Sequence, residues 1–301
     1  MKVAVTGASG LIGSALVSFL TSGGHEVRRL VRRGPRGADE IRWDPGRGEI
    51  DADALEGVDA VVHLSGENLA SGRWTEARKA RIRGSRIDST RTLARALASL
   101  KHRPKVLVSA SAVGYYGDCG EEWVTESSPA GDDFLARVSA DWETAASPAA
   151  EAGIRLVHPR TGVVLSPVGG ALGKLLLPFR LGLGGIVGPG TQYMSWVAID
   201  DVVTALHHVL VEERVIGPFN LVAPAPVTNR EFTKALGQVL RRPTLVPVPA
   251  FALKLVLGEM AEATLLASTR ARPDRLVSSG YRFRYPGLEG ALRHVIAGTE
   301  S

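Results

Sequence analysis

Gly7, Gly10 and Gly13 recur at every third position in Thr6-Gly7-Ala8-Ser9-Gly10-Leu11-Ile12-Gly13, and a pair of arginines, Arg32-Arg33, follows downstream. Glycines so placed can make a tight turn, admit a phosphate to the backbone and let a helix pack close against a strand. A guanidinium can donate twice, from a planar fork, to a dianionic group. Together these residues could hold a diphosphate and, farther along the same molecule, a second phosphate. The elements that must position them are legible. Val3-Ala4-Val5 reads as a strand, and Leu16, Val17, Phe19 and Leu20 give a helical pattern. The turn Ser22-Gly23-Gly24-His25 then leads into a second strand that ends in Leu30-Val31-Arg32-Arg33. Strand, glycine turn, helix and strand make one βαβ unit, in which the helix's free N–H groups and positive end face the phosphates. The competing reading is an ordinary glycine-rich turn. The position between strand and helix favours a dinucleotide site formed by Gly7, Ser9, Gly10, Leu11 and Ile12.

The end of the second strand selects the dinucleotide. An acid about 20 residues beyond the glycines would bind a ribose 2′-hydroxyl. Here Arg32 and Arg33 stand at that point, with no carboxylate after them until Asp39. Arginines suit a 2′-phosphate, so NADP(H) is the expected cofactor. The alternative is a solvated basic edge, since Arg28, Arg29 and Arg36 are close by.

The 301 residues are 45% hydrophobic and 22% charged with a net charge of +5, an ordinary globular composition with room for one large domain or two unequal ones. Arginines are scattered rather than gathered in a tail or an aromatic-interleaved stripe, which argues against nucleic acid as a partner. The single cysteine, Cys119, excludes an internal disulfide and fits a reducing compartment. Met1 runs straight into the first strand and no run of about 18 apolar residues occurs, so neither a secretory leader nor a membrane span is expected. A cytoplasmic setting follows as the expectation.

Farther along, Ile41-Arg42-Trp43-Asp44 reads as a third strand. Asp44 stands where it could accept from an adenine amino group or cap the following turn, Pro45 to Gly48. Ala60 to Gly66 is a buried parallel strand ending in small residues, and Leu64, Ser65 and Gly66 are where a cofactor could pass the backbone. Trp74 to Leu100 reads as a long helix, Val106 to Ser111 as the next buried strand, Phe134 to Ala150 as another helix, and Ile154 to Arg160 as a further strand. Strands alternating with helices predict an α/β, Rossmann-type doubly wound parallel sheet, whose ligands bind beyond the carboxyl ends of the strands. Gly217 to Val222 reads as a strand returning to the sheet, and Thr228 with Glu231 as a capping box. His63 reads as a satisfied core histidine, and His207-His208 has no companion ligands, so no metal site is expected. Prolines and glycines crowd the chain after Leu165. The expected division is 1–165 plus about 197–225 as the dinucleotide-binding domain. About 166–196 and 226–301 form a smaller, partly intercalated substrate-side domain, disordered only in its last few residues.

The chain resembles an extended short-chain dehydrogenase/reductase of the NAD(P)-dependent epimerase/dehydratase superfamily. Within it, the chain is similar to the branch of epimerase family proteins that carries a C-terminal domain of unknown function, here about 247–297. The resemblance rests on Thr6 to Gly13, His63 to Asn68, Ser111 to Gly117, Pro159 to Leu165, Leu177 to Gly185, Met194-Ser195-Trp196, Ile199-Asp200-Asp201, Gly258-Glu259-Met260 and Phe283 to Pro286. It implies a cofactor passing Pro159, Arg160 and Thr161 on its nicotinamide side. It also implies a serine that holds the substrate oxygen, carried over as Ser111, with Ser109 or Ala112 one step of alignment away. The superfamily's proton donor is a tyrosine followed four residues later by lysine. Those positions fall near Leu135 and Ser139, and none of the five tyrosines has lysine four residues on. The pair is absent. Tyr115 and Tyr116, just past the serine strand, are the substitute phenols, though in relatives Tyr116 lines the pocket. Arg86 stands where many relatives have a structural asparagine; it could touch cofactor or substrate, and a solvated helix residue is the favoured of the two readings. Gln192 to Trp196 is expected to line the substrate cleft, with Trp196 alternatively an anchor between domains.

The functional expectation is therefore an NADP(H)-binding oxidoreductase or epimerase-like protein, monomeric or homodimeric, acting on a small molecule through a non-standard acid/base group. The alternative is a non-catalytic NADP(H)-dependent binding or regulatory protein.

Overall fold

The computed structural model describes residues 1–297. Its elements run β1 (Lys2–Thr6), α1 (Leu11–Ser22), β2 (Glu26–Val31), β3 (Glu40–Asp44), β4 (Glu49–Ile50), β5 (Ala60–His63), α2 (Glu76–Ser99), β6 (Val106–Ser109) and β7 (Ser111–Ala112). There follow β8 (Trp123–Val124), α3 (Phe134–Thr144), α4 (Ser147–Glu151), β9 (Arg155–Thr161), β10 (Val163–Leu165), α5 (Gly170–Arg180), β11 (Tyr193–Met194), β12 (Trp196–Ala198) and α6 (Ile199–Val211). The chain continues through β13 (Gly217–Leu221), β14 (Val227–Thr228), α7 (Asn229–Leu240), α8 (Ala250–Leu257), α9 (Glu259–Ala261), β15 (Arg270–Ala271), α10 (Asp274–Ser278) and α11 (Leu288–Ala297).

The main sheet has the order β13-β9-β6-β5-β1-β2-β3-β4, parallel except for β4, and β7 continues alongside β9. Its central strands are apolar on both faces, as a doubly covered parallel sheet requires. Alternate residues serve opposite layers. Val3, Val5, Val62 and Val108 pack with Leu16 and Leu20 of α1 and Val202 and Leu206 of α6. Ala4, Val61 and Leu107 pack with Leu93 and Leu97 of α2 and Ala146 and Ala149. Numbering moves outward from β1 through β2 and β3, then restarts at β5 on the other side of β1. That reversal makes the carboxyl ends of β1 and β5 the switch point at which such sheets open a ligand crevice.

One predicted helix divides in two. Phe134 to Ala150 separates into α3 and α4 because Pro148 has no N–H to give to the carbonyl four residues back, and its ring crowds that carbonyl. Thr228 caps α7 with the reciprocal Glu231 contact expected of a capping box. A separate core joins Leu172 and Phe179 of α5, Phe232 and Leu236 of α7, and Leu292 and Val295 of α11 around Trp196, which is fully buried. The disorder expected at the C-terminus falls on 298–301, outside the described residues.

Candidate functional site

At the switch point the glycine spacing has a steric cause. Gly7 has φ +66°, and a Cβ there would stand 2.8 Å from the Leu64 carbonyl carbon. A Cβ on Gly13 would stand 2.1 Å from the Gly7 oxygen. These two glycines let α1 and the end of β5 close on the turn. Gly10 is different: it is exposed and extended at φ −78°, ψ 174°, and caps α1 without a side chain. With no acid in the first turn of α1 and no side-chain cap, its uncapped N–H groups and positive helix end have the sign that a diphosphate needs. Ser9 is exposed on this turn, and Leu11 and Ile12 are half-buried behind it.

Thr6 accepts from the N–H groups of Leu64 (3.1 Å) and Ser65 (3.3 Å), so its own hydrogen is turned toward His63 Nδ1, 2.7 Å away. That places the His63 proton on Nε2, which donates to Thr90 at 2.9 Å, and Thr90 also accepts from the Trp142 indole at 2.9 Å. The chain of contacts ties together β1, β5, α2 and α3. Burial pushes His63 down to about 3, so the fold holds it neutral. Because the folded value lies below the ordinary 6.5, the contribution is fully present above pH 6.5 and is lost as pH falls from 6.5 toward 3. A loss of about 1.4 kcal/mol of folding stability per pH unit in that window is expected from this group. The check is the His63 ring-proton NMR shift alongside denaturant unfolding between pH 7.5 and pH 4.5; a ring that titrates near 6.5 would contradict the network.

The two arginines at the end of β2 behave differently. Arg33 forks onto the buried Glu40 carboxylate at 2.7 and 2.5 Å, and Arg29 reaches the same group. The hydrogen bond from Arg33, then that from the Arg36 N–H, holds Glu40 at about 2. Arg33 is thus fixed before any ligand arrives. Arg32 is exposed and makes no side-chain hydrogen bond or ion pair among the described residues. Asp44 accepts from the Gly46 N–H at 3.1 Å, which is the turn-capping geometry of its two readings.

Beyond β6 lies a buried polar network centred on an ion pair that spacing alone did not disclose. Glu143 of α3 receives Arg160 Nε at 2.8 Å and Nη2 at 2.9 Å, and the Ser111 hydroxyl at 2.6 Å. Arg160 Nη1 reaches the Tyr116 hydroxyl at 3.1 Å, and that hydroxyl donates to Asn220 at 2.7 Å. Burial disfavours the Arg160 charge, but the Glu143 hydrogen bonds and charge outweigh it and hold Arg160 above its usual value. Burial pushes Tyr116 up to about 12. Ser111 and Tyr116 therefore point their hydroxyls into the protein. Tyr115 is half-buried with its ring stacked 3.4 Å from the Arg160 guanidinium carbon, and its hydroxyl has no partner among the described residues. Pro159 is buried on β9, and Thr161 beside it turns its hydroxyl to the Pro159 carbonyl at 3.3 Å. Leu135 and Ser139 are buried, and Leu135 packs with Trp74, Ile82 and Met260.

Two expectations change. Arg86 is not a solvated helix residue: its guanidinium lies against the Gly66 backbone and 5.1 Å from the Trp142 ring. Trp196 does not line a cleft: it is a core anchor whose indole donates to the Ala225 carbonyl at 2.9 Å. The roles of Glu143 and Asn220 are not legible in the sequence, and for Arg86 the less favoured of its two readings, an inward side chain, is the one the fold adopts. A signal existed for Arg86, because it lies four residues from both Ile82 and Thr90 on the buried face of α2.

Among the described residues no helix is long and apolar enough to cross a membrane, and no three His, Cys, Asp or Glu side chains gather as a metal site. Residues 3–221 match the NAD dependent epimerase/dehydratase family, and residues 248–295 match a domain of unknown function, DUF1731. The chain is 46% identical over 290 residues to the epimerase family protein Mb2239 of Mycobacterium bovis, covering 96% of each. It is 36% identical over 302 residues to the epimerase family protein YfhF of Bacillus subtilis, covering 99% of this chain and 98% of that one. Human epimerase family protein SDR39U1, solved with NADPH, superimposes with a TM-score of 0.91 at 37% identity over 99% of both chains.

Proposed function

This chain belongs to the NAD-dependent epimerase/dehydratase family, and we propose that it is an NADP(H)-binding oxidoreductase or epimerase-like enzyme whose acid/base group is not the usual tyrosine–lysine pair. The observation that carries the cofactor reading is the pairing of an open glycine cradle at α1 with Arg32, a guanidinium free for a ligand at the end of β2. The solved relative's NADPH supports it. Gly7, Gly10, Leu11 and Ile12 would hold the diphosphate and Arg32 the 2′-phosphate. Leu64, Ser65 and Gly66 would line the path to the nicotinamide side. A bound dinucleotide would supply a hydride, and the chain's residues would position the substrate and move a proton. Tyr115 is the hydroxyl left free for that proton, with Arg160 under its ring and the Ser111–Glu143–Tyr116 network fixing that arginine. The segments after Leu165 form the substrate side in this reading.

The test is a titration with NADPH and NADH. Arg32→Ala is expected to weaken NADPH by about tenfold, as loss of a charged hydrogen bond does, with NADH unchanged. Equal binding of both dinucleotides by the unaltered chain would dismiss the 2′-phosphate clamp.

A second reading is a non-catalytic NADP(H)-dependent binding or regulatory protein. It is favoured by buried Leu135 and Ser139 at the positions of the missing pair. A chain that binds NADPH tightly yet transfers no hydride across a panel of carbonyl and sugar-nucleotide substrates would support it. Turnover abolished by Tyr115→Phe would support the enzyme.

A further inference from the structure

Two stretches after Leu165 share an unusual composition. Neither Ser166 to Ile199 nor Phe232 to Gly258 contains an aspartate or a glutamate, while together they carry six lysines and arginines. The same stretches hold nine of the fifteen large apolar side chains that are exposed among the described residues. An ordinary protein surface disperses such side chains among charges of both signs. Here apolar groups and cations are gathered with no anion between them.

The fold lays the two stretches side by side. The Val246 N–H donates to the Gly184 carbonyl at 3.3 Å and the Val248 N–H to the Ile186 carbonyl at 2.9 Å. The strip 182–188 thus leads from the end of α5 to the start of α8, with 243–250 beside it. On α5 and its C-cap, Lys174, Leu177 and Leu181 recur at helical spacing and are all exposed. On α8, Phe251, Lys254 and Leu255 do the same, and none of the eight residues of this helix is buried. Phe251 and Leu255 are 74% exposed and Leu245 83%, so they stand clear of the surface instead of lining a groove. Arg180, Arg241 and Arg242 are exposed and have no side-chain partner among the described residues. The acids that bound the stretches are already engaged. Glu231 closes the capping box of α7, Glu259 pairs with Lys79, and Glu262 pairs with Lys254 at 2.6 Å.

Sign and shape select the occupant. A second copy related by a two-fold axis would set this cationic face against itself. An acidic protein would neutralise the arginines while giving the protruding apolar side chains no layer to enter. A bilayer of anionic lipid answers both features. Its headgroups attract the arginines, its acyl boundary receives Phe251 and Leu255, and Lys174 and Lys254 can keep their ammonium groups at headgroup level. We propose that this face docks peripherally on an anionic membrane surface, with α8 lying in the headgroup layer. The proposal goes beyond the NADP(H) reading and does not depend on it.

Co-sedimentation of the full chain with vesicles of equal parts phosphatidylcholine and phosphatidylglycerol, against vesicles of phosphatidylcholine alone, tests it at about 100 mM salt. Binding to the first and not to the second is expected. Replacing Arg241 and Arg242 together by alanine should weaken it about thirtyfold, the usual effect of two cations at an anionic leaflet. Phe251→Ser with Leu255→Ser should weaken it by about tenfold or more, through lost apolar insertion. Both variants change exposed side chains and should melt within about 2 °C of the unaltered chain. Arg91→Ala with Arg95→Ala, exposed on α2, is the control and should bind as the unaltered chain does. No binding to the anionic vesicles overturns the proposal. So does unchanged binding by the Phe251 and Leu255 variant, or an equal loss in the α2 control, which is what adsorption of any basic surface would give. Sedimentation velocity of the free chain reads the competing occupant: a dimer that dissociates in the Phe251 and Leu255 variant would give the face to a second copy and overturn the membrane assignment. If one of the two variants does not fold, the other, read against the α2 control, decides.

Discussion

Glu143→Leu is expected to cost about 3–5 kcal/mol of folding stability, the range for breaking a buried ion pair by removing one partner. At roughly 2 °C per kcal/mol for a chain of this size, the thermal midpoint should fall by about 6–10 °C. The cause is Arg160. Its side chain is 3% exposed and that of Glu143 13%, so the guanidinium loses its counter-charge without gaining water. The Ser111 hydroxyl loses its acceptor in the same step. Glu143→Gln keeps the shape and one acceptor oxygen and should cost less. The decisive comparison is the double replacement Glu143→Leu with Arg160→Met. Replacing both members of a buried pair by apolar groups is often nearly neutral, so the double variant should be more stable than Glu143→Leu alone. Turnover, where it exists, should not return with stability, because the support under the Tyr115 ring is gone. A double variant no better than the single would mean that the pair is not what the site rests on.

How much of this was legible depends on the range of each interaction. The parallel strands are readable because a doubly covered sheet needs apolar runs such as Ala60 to Val62. The glycine turn is readable because the contact of Gly13 with the Gly7 oxygen acts within seven residues, whereas the Leu64 carbonyl that confines Gly7 is brought up by β5 and is not written locally. The division of the helix at Pro148 is also written locally, in a proline that cannot give an N–H to the carbonyl four residues back. The Glu143–Arg160 pair was not readable: α3 and β9 bring the two side chains together, and nothing in the identity of either predicts the other. The same holds for Arg33, which looks equivalent to Arg32 in sequence until the fold sets Glu40 against it. Loss of the tyrosine–lysine pair was visible at Leu135 and Ser139, but only coordinates show Met260, far along the chain, packed in the same cluster as Leu135. The capping box at Thr228 and Glu231 was local and was read correctly.

Gly10→Val should weaken NADPH by on the order of a hundredfold, about 2.8 kcal/mol, while leaving the thermal midpoint within about 2 °C, the scale of an ordinary surface change. The two glycines beside it cannot make this separation. Alanine at Gly13 would drive its methyl to 2.1 Å from the Gly7 oxygen, and a side chain at Gly7 would meet Leu64 at a φ that L residues avoid, so both variants perturb the fold before any ligand is added. At Gly10 the backbone already has dihedrals that valine favours, and the closest atom to a new Cβ is the Gly7 oxygen at 3.2 Å, a contact that a shift of a few tenths of an ångström relieves. The hydrogen bond from the Gly10 N–H to the Gly7 carbonyl, 2.9 Å, survives the change. What the valine does occupy is the exposed face above the first turn of α1, where a diphosphate must approach the backbone. Calorimetric titration of NADPH into Gly10→Val, with a melting curve of the same sample, reads both quantities together. Lost affinity in a chain that melts normally would place the diphosphate at α1. Retained affinity would mean that NADPH binds elsewhere and that the glycine spacing serves only the packing of α1 on β1.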